Sequence, residues 1–301
     1  MRARWCCLWL SVSTLLAVDA RAAHDARTVY KFATAAALFA RPGLGHDGAI
    51  YVGAGDGYVH ALGPDGSFRW SYTVKGRVTA PPVEDPGNGH LFVVTSEARL
   101  YALDRDAALR WVFPLPAAPK SELALTPKGT LLFVGQDDHL YGVTTGGALS
   151  LRLAAPGARS APALLADGRI GVVLGEELAT LKAYGYERAP LPGPFGASAK
   201  LALRADRAIF ACEDRVVRVV GAAPALAASS DCLSPPVRGD DFFAVAEASG
   251  DVRLFFDDGT ELGIGLGAAP LRPSWDAARR RLIVSTATGA LSALELADGG
   301  P

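Results

Sequence analysis

The stretch "IYVGAGDGYVHALGPDGSFRW", Ile50 to Trp70, sets two short apolar runs around a glycine-rich turn and adds a third after Pro64-Asp65-Gly66. β-Branched and aromatic runs broken by Asp-Gly are the chemistry of antiparallel hairpins. The phrase returns as "LFVVTSEARLYALDRDAALRW" from Leu91, "LLFVGQDDHLYGVTTGGALSL" from Leu131, "FAVAEASGDVRLFFDDGTEL" from Phe243 and "LIVSTATGALSALELADGG" from Leu282. Weaker copies with shorter central turns start at Ile170 and Ile209, which makes seven. A period of about 40 residues marks a propeller or solenoid, and the i, i+3, i+4 spacing of helical arrays is missing.

A further strand per copy comes from the segment before each phrase, as in "TAPPVED" (79–85), "SELALTP" (121–127), "SAPALLAD" (160–167), "SAKLALRA" (198–205) and "LSPPVRG" (233–239). Four strands per repeat describe a propeller blade. The last copy ends after its third strand, and the missing one lies at the start of the chain, where "TVYKFAT" (28–34) precedes the first repeat. The expectation is an all-β, seven-bladed propeller of four-stranded antiparallel blades, closed by the N-terminal strand so that no open sheet edge remains at the seam. An eighth, degenerate blade is the alternative.

The chain of 301 residues is 50% hydrophobic and 20% charged, ample for one large core. A net charge of −1 gives no pull toward nucleic acid or anionic lipid. Arg2 and Arg4 precede an apolar run from Trp5 to Val18 that ends in small-x-small patterns, so residues 1–22 read as a secretory signal peptide and 23–301 as one propeller domain. The apolar run is too short for the roughly 20 residues of a membrane span. The mature protein is expected to be exported, periplasmic or extracellular, and monomeric. Cys212 and Cys232 remain after cleavage, and in an oxidising compartment such a pair forms a disulfide; two buried free thiols are the alternative.

The segments "GYVHALGPDGSFRW" (57–70) and "LYALDRDAALRW" (100–111) resemble the repeat of the pyrroloquinoline-quinone (PQQ)-type propellers over nearly the whole mature chain. That family holds quinoprotein dehydrogenases and also non-catalytic BamB-like assembly lipoproteins, so the resemblance implies a fold and leaves the activity open. It also marks Trp70 and Trp111 as the structural repeat tryptophans; the third copy has Leu151 instead, and later copies show no clear counterpart.

No catalytic, cofactor-binding or metal-binding constellation is apparent. Asp56, Asp137-Asp138 and Asp257-Asp258 fall in expected turns, where aspartate hydrogen-bonds the local backbone. His60 occupies the repeat position of Tyr101 and Tyr141, a packing position. The glycine clusters 53–57 and 263–267 read as turns without the following helix a phosphate loop needs. Arg279 to Arg281 read as a solvated charge run. The irregular connectors 113–122 and 184–198 share one rim, and Tyr184, Tyr186 and Phe195 are candidates for a partner-contact patch, against the reading that they cover the core. The expected function is an exported non-enzymatic scaffold that binds a protein or envelope component through its rim loops. The alternative is a PQQ-binding protein or quinoprotein-like oxidoreductase with its ligand in the central channel.

Overall fold

A computed structural model describes residues 24–297 apart from 183–184, 192–194, 196–198, 205, 207, 220–225 and 229. The signal peptide reading and Tyr184 lie outside the described residues. Within them the chain forms seven four-stranded antiparallel sheets. Blades 1 to 6 run over residues 43–73, 83–114, 124–154, 163–190, 200–227 and 237–265, and blade 7 combines 274–296 with the N-terminal strand Ala26–Ala33. That strand pairs with Ala290–Leu296 from Ala26 opposite Leu296 to Ala33 opposite Ala290, which closes the ring.

The two middle strands of each blade are apolar on both faces because each sheet lies between two others. In Leu91–Thr95 every residue is buried, and so are Leu131 to Val134 and Leu140 to Val143 in blade 3. Such double-sided burial gives continuous rather than alternating hydrophobic runs. Outer strands alternate instead, as in Phe68–Thr73 and Leu109–Pro114.

The tryptophans lock neighbouring blades. The Trp70 indole Nε1 donates to the Arg105 carbonyl of blade 2 at 3.0 Å, and Trp111 Nε1 donates to the Thr145 carbonyl of blade 3 at 3.2 Å. Gly147 makes that second approach possible: its φ is +84°, and a Cβ there would sit 3.1 Å from the Trp111 ring.

His60 is half-buried between Phe32 and Tyr58, opposite Val52 as Tyr101 is opposite Val93. Burial lowers its pKa despite the opposing charge of Asp56. The aspartates act in turns: Asp56 accepts from the Tyr58 amide and Asp258 from the Thr260 amide.

Three expectations need correction. Residues 263–265 are not a turn but the end of the outer strand Glu261–Gly265 of blade 6. Tyr186 lies within the outer strand Gly185–Pro190 rather than in a connector. The arginine run is not merely solvated: Arg279 Nη2 donates to the Asp47 carbonyl and Arg281 Nη1 to the Pro64 carbonyl, so both tie blade 7 to blade 1 across the closure seam.

Cys212 and Cys232 are disulfide-bonded with Cα atoms 6.2 Å apart. Cys212 sits in the second strand of blade 5, while Cys232 bridges Glu247 of blade 6, so the bond joins two blades. Its surroundings are Val217, Ala228, Val245 and Phe255, an apolar seam. Reduction under native conditions, or the paired change Cys212→Ser and Cys232→Ser, is expected to lower the unfolding free energy by about 3 kcal/mol for a loop of this size. Denaturant curves with and without reductant check this, and coincident curves would contradict it.

Candidate functional site

The blades converge on a central channel, and one mouth of it is built from the residues that lead into each innermost strand. Before that strand begins, single bridges extend the pairing: Leu38 with Ala54, Val78 with Thr95, Pro119 with Gly135, Ala158 with Leu174, Cys232 with Glu247 and Pro270 with Thr286. Two residues before the strand itself, blades 2, 4 and 6 place Pro81, Ala161 and Pro235. At the same position blade 1 has Arg41, blade 3 has Glu122 and blade 7 has Arg272.

These three side chains meet across the channel although Glu122 is 81 and 150 positions from its partners. Arg41 grips Glu122 in a two-pronged pair, Nε to Oε1 at 3.0 Å and Nη2 to Oε2 at 2.9 Å. Its remaining Nη1 donates to Ser274 Oγ at 3.1 Å, and Ser274 in turn donates to the Pro42 carbonyl at 2.7 Å. Arg272 Nη1 donates to Glu122 Oε2 at 3.3 Å, while its Nε is buried without a hydrogen-bond partner.

Burial works to raise the Glu122 pKa, but the charge of Arg41, then that of Arg272, and their hydrogen bonds outweigh it and carry the carboxyl down to about 2. The Glu122 side chain keeps 25% of its surface exposed, so the group is partly open and not sealed in the core. Burial also lowers the Arg272 pKa, with the charge of Arg41 acting in the same direction, against the attraction of Glu122. One carboxylate thus serves two guanidiniums, and the site keeps an excess of positive charge.

A cavity of about 590 Å³ opens above this network, lined by three basic side chains, Arg41, Lys120 and Arg272, and one acidic, Glu122. Lys120 pairs with Asp138 at its edge. The apolar part of the lining includes Phe39 and Leu233, which are 48% and 42% exposed. Arg77 stacks over the Phe39 ring at 4.9 Å. The mouth therefore combines a basic floor, whose side chains pair with Glu122 and Asp138, with an exposed apolar rim.

The aromatics that the sequence suggests for partner contact lie elsewhere. Phe195 is buried against Val173, Leu201 and Ile209, so it is packed core and not a contact surface. Tyr186 is half-buried with a buried hydroxyl that has no partner, and burial pushes its pKa up to about 12. Irregularity in the sequence marks the connector 113–122 that carries Glu122 but does not single out the carboxylate. The available signal is a charged residue at one repeat position in blades 1, 3 and 7 where blades 2, 4 and 6 carry proline or alanine.

A family profile described as outer membrane protein assembly factor BamB matches residues 13–174. The chain belongs to that family. It is 34% identical over 113 residues to outer membrane protein assembly factor BamB of Burkholderia pseudomallei (strain K96243), over 37% of this chain and 28% of that relative. The matched segment thus spans less than a third of the relative's length. The crystal structure of BamB from Moraxella catarrhalis superimposes with a TM-score of 0.57 over 90% of this chain and 98% of that one. At 15% identity that likeness establishes the propeller fold alone.

Proposed function

We propose that this chain is an exported, non-enzymatic scaffold that holds a protein component of outer-membrane assembly on its channel-mouth rim. Family membership supports the assembly role, and the observation that carries the binding surface is the exposed pair Phe39 and Leu233 above the cationic floor of Arg41, Lys120 and Arg272. A carboxylate held ionised between two guanidiniums is a poor proton acceptor, which supports a binding role for the channel over general-base chemistry.

The competing reading places PQQ and calcium in the channel. Glu122 is the carboxylate the mouth lining offers a cation, and it is occupied by Arg41 and Arg272, so these residues do not fit a calcium-quinone site. A photo-crosslinker at position 39 or 233, in protein returned to its native envelope, is expected to capture an outer-membrane assembly component. The adduct should be lost when Leu233→Glu accompanies the probe at 39. Calorimetry with PQQ and calcium separates the two readings, since saturable quinone binding without an envelope adduct would overturn the scaffold.

A further inference from the structure

On the rim opposite the channel mouth, the blade boundaries repeat one packing slot. The residue that fills it is set by register: Trp70 opposite Ala61, Trp111 opposite Ala102, Leu151 opposite Gly142, Leu262 opposite Leu254 and Tyr30 opposite Ala293. Trp70 fills the boundary of blades 1 and 2, Trp111 that of blades 2 and 3, and Tyr30 that of blades 7 and 1. Between blades 6 and 7 the outer strand offers only Leu262, but Trp275 enters from the innermost strand of blade 7. Its Nε1 donates to Asp240 Oδ1 at 3.2 Å, so an indole fills that slot from the other side.

The boundary of blades 3 and 4 has neither device. Leu151 stands at the position of Trp111, Leu164 at the position of Trp275, and Leu132 at that of Phe92. The volume they leave is a cavity of about 380 Å³ lined by Leu132, Leu151, Leu164, Gly168 and Ile170, with Lys128 at its lip. It adjoins a second depression of about 480 Å³ that shares Thr126, Pro127 and Leu164 and extends to Asp85 and Pro86 of blade 2.

We infer that the slot between blades 3 and 4 is a binding site for an aromatic side chain, an indole above all, presented by a partner polypeptide. The chain itself supplies the template, since an aromatic ring occupies the equivalent slot at four other boundaries. Apolar lining offers the ring a hydrophobic gain on entry, the adjoining depression gives a course for the flanking chain, and Lys128 favours a carboxylate beside the ring. The source of the ring in a partner rests on the scaffold reading; the slot's affinity for a ring does not. A scaffold with this slot and the channel mouth would grip partners on both rims.

The test uses N-acetyl-tryptophan as probe and N-acetyl-leucine as control, followed by amide chemical shifts of the exported, disulfide-intact protein. Saturable shifts centred on Leu151, Leu164 and Gly168 are expected with the first, at least about tenfold weaker with the second. Leu151→Trp places the chain's own ring in the slot and should abolish the shifts while raising the melting temperature. Leu164→Trp, which copies the placement of Trp275, should do the same if the first variant folds poorly. Equal response to both probes, no saturable response, or undiminished binding in a folded filled-slot variant would each overturn the inference. Loss of the envelope adduct at the channel mouth would leave it standing.

Discussion

Replacing Glu122 with Gln is expected to cost about 3 kcal/mol of unfolding free energy at neutral pH, and replacing it with Ala about 3–5, because either change leaves two guanidiniums facing each other without their shared carboxylate. The folded carboxyl titrates near 2 against a reference value of 4.5. Its folded value is depressed, so the contribution is fully present above the reference value and is lost as pH falls from there toward 2. Urea unfolding of the parent and the Glu122→Gln protein should therefore diverge most at neutral pH and converge on acidification through that window. A Glu122→Gln variant as stable as the parent at neutral pH would show that the three charges do not hold the mouth together. Substituting all three by apolar residues of matching volume tests the complementary point, since a buried ionic group can be replaced with little loss while a broken one is costly. The expected sign for partner binding is opposite: the apolar variant folds, but loses the cationic floor that an acidic segment would recognise.

Local chemistry made the scaffold legible. Asp65-Gly66 and Lys128-Gly129 mark turns because glycine accepts the positive φ those turns require, +84° and +71°. Closure could be read because the last repeat lacks its outer strand and residues 28–34 can supply it. The disulfide followed from compartment and number, although its role in joining two blades needed the position of Cys232 beside Glu247. The channel network was not legible, because Arg41, Glu122 and Arg272 approach only once the ring has closed and no local pattern pairs them. The contribution of Trp275 was hidden for a related reason: it occupies a different strand from Trp70 and Trp111, so aligning repeats cannot show that it fills the same kind of space. For Phe195 the sequence left partner contact and core cover both open, because prolines and glycines surround it, and only its packing with Val173, Leu201 and Ile209 shows the ring in the core.

The second large effect is expected from Trp111→Ala, at about 3 kcal/mol, the lower end of the range for deleting a large aromatic, since the ring is partly buried. The ring packs with Phe92 at a centroid distance of 5.9 Å, faces Gly147, and donates to the Thr145 carbonyl, so truncation removes apolar contacts and leaves a carbonyl short of its donor. The equivalent truncation in blade 3, Leu151→Ala, should cost less, because that slot is already open and its walls have fewer contacts to lose. Denaturant unfolding followed by far-ultraviolet circular dichroism avoids the loss of an indole as a fluorescent reporter. A cost below about 1 kcal/mol for Trp111→Ala would mean that the blades are held by their strands and not by the rings between them. The emptied slot also has a positive signature. If ring-shaped space at a blade boundary is what binds an indole, Trp111→Ala should acquire a second N-acetyl-tryptophan site between blades 2 and 3, and saturating probe should restore part of the lost stability by mass action.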